Sequence, residues 1–83
     1  MTPIEIRITN LIQKPVEEKG YKLEKVKLGT SEGRSALTVT ISKDGNLSVE
    51  DCAKVSKIIE PILDETNPIN GSYTLVVTSP GID

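Results

Sequence analysis

Carboxylates are the side chains whose number and placement in this sequence most directly suggest chemistry. Residues 44–83 carry seven Asp or Glu against two Lys, a balance of −5, whereas residues 1–43 carry eight Lys or Arg against five Glu, a balance of +3. An acidic surface attracts basic partners, and the mildly basic first half is able to contact phosphate. The simpler interpretation is a solvated surface with uneven charge.

The other groups that enzymes use are scarce. The sequence has no His, the side chain whose unperturbed pKa suits acid–base catalysis near neutrality. The single Cys52 forms neither an intrachain disulfide nor a zinc site alone, and its position on an apolar helix face favours a small buried hydrophobe over a reactive thiol. We therefore expect no catalytic residues, no metal and no cofactor.

Composition predicts one small globular domain. Charged residues are 27% and hydrophobic residues 36% of the 83. No apolar run approaches the roughly 20 residues that span a bilayer, and no signal peptide is apparent, so we expect a cytoplasmic protein without a membrane partner. The absence of Phe and Trp excludes a platform for stacking several bases, and the net charge of −2 argues against a non-specific phosphate binder.

The first predicted helix covers residues 3–19. Thr2 and Glu5 have the spacing of a capping box around a Pro at the first helical position, and Gly20 is a typical helix end. Pro15 is expected to kink this helix. Its predicted apolar face consists of Ile4, Ile8, Leu11, Ile12 and Val16.

A second capping box, Ser48 to Asp51, predicts a second helix that closes over residues 64–68. Pro61 is expected to kink it. Its predicted apolar face consists of Val49, Cys52, Val55, Ser56, Ile59, Ile62 and Leu63.

Three segments have strand patterns. In residues 21–28 the alternation of apolar and polar residues shifts by one position near Glu24, which a β-bulge would explain. A loop over residues 29–33 then leads to a second strand over 37–42. A third strand covers residues 73–78. The predicted fold is an α+β two-layer sandwich in the order helix-strand-strand-helix-strand, with a mainly antiparallel three-stranded sheet and both helices on one face.

This order also occurs in small RNA-binding modules of KH-like layering, so the fold alone leaves function open. The Gly-x-x-Gly loop between two helices that marks KH domains is missing. Gly29 and Gly33 have a different spacing and lie in a predicted hairpin.

A set of short motifs resembles the N-terminal domain of the ribosome maturation factor RimP family. Each motif is weak alone, but their order and spacing together cover most of residues 15–83. They are Gly20-Tyr21, Asp44-Gly45, Ser48-Val49-Glu50-Asp51-Cys52, Val55-Ser56, Leu63-Asp64, Asn67-Pro68-Ile69, Tyr73 with Leu75, and Ser79-Pro80-Gly81. Two positions depart from the family pattern: Val76, where Glu is usual, and Pro61, inside a helix that is usually continuous.

The resemblance implies a non-catalytic, cytoplasmic assembly factor that binds the immature small ribosomal subunit and assists its maturation. It implies contact with a basic ribosomal protein, with rRNA or with both, and we expect a monomer. In this family a small β-barrel domain follows, so residues 1–83 are expected to form the N-terminal domain alone. The turn formers after the last strand favour the same view, and the expected interdomain linker comprises Ser79, Pro80, Gly81 and Asp83.

Acidic residues of the second half are the predicted partner contacts: Asp44, Glu50, Asp51, Asp64 and Glu65. They would meet Lys or Arg of a basic ribosomal protein. Glu50 and Asp51 also complement a helix N-terminus, which alone would explain them.

Two other hypotheses stay open. An independent KH-like RNA-binding module would use a basic hairpin patch of Lys22, Lys25, Lys27 and Arg34. A regulatory fragment of an enzyme is the third possibility, favoured only by the abrupt end after the last strand.

Overall fold

Two helices and three strands make up the residues that the computed structural model describes, 2–31, 33–45, 47–66 and 73–79. They are α1 (Pro3–Glu18), β1 (Lys22–Ser31), β2 (Arg34–Ser42), α2 (Val49–Thr66) and β3 (Tyr73–Thr78). The α+β class and the predicted element order are confirmed.

The sheet is mixed, with β2 between the other two strands. β1 pairs with β2 antiparallel, as expected of a hairpin, but β3 pairs with β2 in parallel, from Ser35 opposite Tyr73 to Thr40 opposite Thr78. The antiparallel pairing of β1 with β2 is the longer of the two, as expected of a mainly antiparallel sheet, and the parallel pairing of β3 makes the sheet mixed. The physical reason is α2, a helical crossover that returns the chain to the end of the sheet where β2 began.

The hairpin is longer and tighter than predicted. The expected loop over residues 29–33 is largely strand, because β1 continues to Ser31, which pairs with Arg34. Gly33 adopts φ +75°, a conformation that favours glycine. The expected bulge is confirmed: Leu23 pairs with Ile41 and Lys25 with Thr40, so that Glu24 is the extra residue.

The core lies between the helices and one face of the sheet. α1 packs against β1 and α2, and α2 packs against β3. The buried apolar side chains form a single cluster, which confirms that both helices cover the same sheet face: Ile8, Ile12, Val16, Tyr21, Val26, Leu37, Val39, Ile41, Val55, Ile59 and Leu63.

Both predicted capping boxes are present. The N–H of Glu5 donates to Thr2 Oγ1 at 3.3 Å, and the N–H of Thr2 donates to Glu5 Oε1 at 2.8 Å. At α2 the N–H of Asp51 donates to Ser48 Oγ at 3.3 Å, and the N–H of Ser48 donates to Asp51 Oδ2 at 2.9 Å. Each box satisfies backbone donors that the first helical turn leaves unpaired.

The helix starts differ from the predicted apolar faces. Ile4 is 41% exposed and Val49 82% exposed, so neither belongs to the core. The acidic residue of each capping box turns inward instead. Glu5 is buried, and its Oε2 accepts the N–H of Leu28 in β1 at 2.7 Å. Burial of this carboxylate at the end of the core leaves the neighbouring isoleucine on the outside.

Three further predictions concern the helix interiors and ends. Cys52 is only half-buried, so the expectation of a core cysteine is wrong, and the buried apolar residues of α2 are Val55, Ile59 and Leu63. α1 and α2 both continue through their internal prolines, Pro15 and Pro61. α1 ends where predicted, with Gly20 at φ +91° just beyond it.

Candidate partner-binding surface

Asp51 lies inside the chain rather than on its surface. Its side chain is nearly buried, with Oδ1 accepting the Tyr21 hydroxyl at 2.7 Å and Oδ2 lying 2.9 Å from Lys43 Nζ. Oδ2 also accepts the N–H and the hydroxyl of Ser48. The carboxylate thus connects the starts of β1 and α2 with the end of β2. It is occupied within the fold and is not available to a partner.

The pKa values of this network follow from its hydrogen bonds. The Ser48 N–H, then the Tyr21 hydroxyl and the Lys43 ammonium, hold the pKa of Asp51 well below its usual 3.8. The hydrogen bond to Asp51, aided by burial, raises the pKa of Tyr21 above its usual 10.0. Lys43 Nζ also lies 5.9 Å from the centre of the Tyr21 ring, within cation–π range. An ionised Asp51 and a protonated Tyr21 are therefore the stable pair at neutral pH.

Asp44 and Glu50 are exposed near the start of α2. Asp44 lies in the turn after β2, and Glu50 lies in the first turn of the helix. An acid in the first turn interacts favourably with the helix dipole, which gives Glu50 a structural role without a partner.

Asp64 and Glu65 are exposed at the opposite end of α2. The last turn of the helix contains no basic residue. Carboxylates at a helix C-terminus lie next to the negative end of the helix dipole, which is unfavourable by a few tenths of a kcal/mol each. Burial, followed by the charges of Asp64 and Glu60, raises the pKa of Tyr73 in β3, so this end of α2 carries a negative field. These carboxylates do not serve the stability of their own helix.

The predicted linker lies mostly outside the described residues. Ser79 follows β3 directly and is half-buried. Pro80, Gly81 and Asp83 fall beyond the described part, and their assignment as a linker stays a prediction.

The lysines of the hairpin lie on the sheet face that points away from the helices. Lys25 and Lys27 are exposed and pair in register with Thr40 and Thr38, which alternate with the buried residues of β2. Lys22 is close to Glu24, with 3.9 Å between Nζ and Oε1, and both side chains are solvated. The lysines of the predicted basic hairpin patch therefore lie along the open face of the sheet.

A second basic surface was not predicted. It is a groove of about 390 Å³ between the end of α1 and the middle of α2, lined by Lys19, Tyr21, Lys54, Lys57 and Ile58. Lys54 and Lys57 are three residues apart and thus share one helix face, a spacing visible in the sequence. Lys19 joins them only through the packing of α1 on α2, for which the sequence contains no signal.

The chemistry available on these surfaces is charge pairing and hydrogen bonding. Over the described residues, no group of three or more His, Cys, Asp or Glu side chains is placed to hold a metal ion. In the same part of the chain, neither helix is long and apolar enough to cross a membrane.

A comparison with protein families connects this geometry to known proteins. The family model described as the RimP N-terminal domain matches residues 11–83. The match covers most of the chain, including both strands of the hairpin, α2 and β3.

Proposed function

The chain belongs to the RimP N-terminal domain family, a family of ribosome maturation factors, and we propose that it binds the immature small ribosomal subunit and assists its maturation without catalysis. The family match over residues 11–83 is the observation that carries this proposal. The exposed carboxylates Asp64 and Glu65 support a binding role, because they are accessible at the end of α2, whereas the carboxylate of Asp51 is occupied within the fold.

We place the contact with a basic ribosomal protein at the C-terminal end of α2. Asp64 and Glu65 are exposed there and, among the described residues, form no ion pair. Their position at the unfavourable end of the helix dipole is not explained by stability, unlike that of Glu50. Asp44 and Glu50 form a separate acidic surface near the N-terminal end of α2. Asp51 is left out because its carboxylate is occupied within the fold.

The test is charge reversal at this end of α2. The double variant Asp64→Lys with Glu65→Lys is expected to weaken co-sedimentation with immature small subunits by about fivefold at roughly 0.1 M salt, since the two exposed pairs together contribute about 1 kcal/mol. Binding of the unchanged protein should also weaken as salt rises, because exposed charges are screened. Circular dichroism checks that the fold is kept.

The matched control is Lys25→Glu with Lys27→Glu, which reverses two charges on the outer sheet face. It should leave particle binding nearly unchanged. A larger loss in this lysine variant than in the acidic one would contradict protein docking and favour the KH-like alternative, in which lysines supply the phosphate contacts.

A further inference from the structure

We infer that the groove between α1 and α2 binds the phosphate backbone of single-stranded RNA. The inference rests on the proposed function and deepens it by naming a second ligand of the same domain. It starts from the three cationic side chains around the groove, Lys19, Lys54 and Lys57.

The groove combines positive walls with an apolar floor. Lys54 and Lys57 are exposed on α2 and Lys19 is exposed at the end of α1, whereas Tyr21 is buried and Ile58 half-buried beneath them. The hydrogen bond from the Tyr21 hydroxyl to Asp51 fixes the floor. Lysine ammonium groups bind phosphate as mobile point charges, so an open groove of this kind suits a polymer backbone better than one tightly held anion.

The lysines have no competing partner among the described residues. Neither of the two ion pairs found there, Lys22 with Glu24 and Lys43 with Asp51, includes them. Glu50 lies one turn before Lys54, at a spacing that permits a pair, yet the two do not meet within ion-pair distance. The three ammonium groups are therefore available for an external anion.

The neighbouring groove provides an internal comparison. It is larger, about 530 Å³, but its lysines, Lys22 and Lys43, are matched by Glu17 and Asp44. Among the residues that the structure describes, the lining of the α1–α2 groove includes three lysines and no carboxylate. The whole chain has a net charge of −2, but screening over about 8 Å at physiological salt weakens the effect of the more distant carboxylates on these three lysines.

The test measures binding of the 83-residue chain to a single-stranded RNA oligonucleotide of roughly 16 nucleotides. The triple variant Lys19→Gln, Lys54→Gln, Lys57→Gln keeps part of each apolar stem and removes the charges. It is expected to raise the Kd at least about tenfold. It should also reduce the slope of log K against log salt by about 2, since each phosphate contact on a single strand contributes about 0.7.

The matched control removes the same charge from the sheet, with Lys22→Gln, Lys25→Gln and Lys27→Gln. It should change the Kd less than about twofold. Equal losses in the two variants, or no loss in the groove variant, would overturn the inference. NMR titration of the unchanged chain provides a second measurement that does not depend on the folding of a variant. RNA should shift the amides of Lys19, Lys54 and Lys57, and shifts confined to β1 would overturn the inference as well.

Inorganic phosphate distinguishes a polymer site from a small-anion site. At the same total phosphate concentration, inorganic phosphate should fail to displace the RNA, and displacement would overturn RNA as the ligand.

The RNA-binding test and the particle-binding test of the proposed function can fail independently. An unchanged chain that fails to bind RNA, while its particle binding still depends on Asp64 and Glu65, removes only the present inference. An unchanged protein that fails to bind particles removes the proposed function.

Discussion

At the level of single residues, Asp51 shows how a carboxylate that appears suited to a partner is used by the fold. Ser48, Tyr21 and Lys43 all bond to it, and they come from three separate segments of the chain. From the sequence, Asp51 was identifiable as a capping residue. Its bond to Tyr21 was not, because the two residues lie 30 positions apart and meet only after α2 packs on the sheet.

This network predicts a specific response to acid. The folded-state pKa of Asp51 is lowered from 3.8, so the ionised form stabilises the fold fully above about pH 5, and that stability is lost progressively as the pH falls below 3.8 towards the folded-state pKa. Asp51→Asn should lower the urea midpoint at about pH 7, and the difference from the unchanged protein should shrink by about pH 3. Asp44→Asn, at an exposed position, is the control. A difference independent of pH would contradict the role of the charge.

At the level of elements, the helix caps and the hydrophobic periodicity were sufficient to predict both helices. The interrupted alternation of apolar and polar residues near Glu24 was sufficient to predict the bulge. These features are local, so the sequence contains their signals. The apolar faces were less predictable at the helix starts, because periodicity alone does not reveal that Glu5 and Asp51 turn inward. The parallel pairing of β3 depends on where α2 returns the chain, which is a tertiary property.

The end of α1 provides a test of local backbone geometry. Gly20 has φ +91° with no atom within 4 Å of an added Cβ, so Gly20→Ala introduces backbone strain but no clash. We expect a loss of about 1–2 kcal/mol in the free energy of unfolding. Gly29→Ala is the matched control, since Gly29 also has open space but no positive φ, and it should change stability by less than about 0.5 kcal/mol. Equal effects in urea unfolding would disprove this explanation.

At the level of the whole molecule, one thin core connects two helices to three strands, with a radius of gyration of 12.2 Å. The core contains no Phe or Trp, and its members are mostly Ile, Val and Leu. The overall sandwich was predictable from the order of the elements. The α1–α2 groove was not, because it is formed by residues from helices that are distant in sequence.

A core this small should respond strongly to the loss of one side chain. Leu37 is fully buried in the central strand, and Leu37→Ala should cost about 2–5 kcal/mol by leaving a cavity. Val76→Ala in β3, where the side chain is 42% exposed, should cost less than about 1 kcal/mol. Chemical denaturation monitored by circular dichroism measures both. A loss below about 1 kcal/mol for Leu37→Ala would show that the core is not packed as described.

The bond between Glu5 and the N–H of Leu28 also bears on how copies of this domain meet. β1 lies at one edge of the sheet, where an unpaired N–H would invite an extended segment of another chain to add as a further strand. Glu5 occupies this donor from within the same chain. The exposed lysines of β1 repel their counterparts on a second copy. Both features disfavour the addition of an extended segment from a second copy along this edge of the sheet.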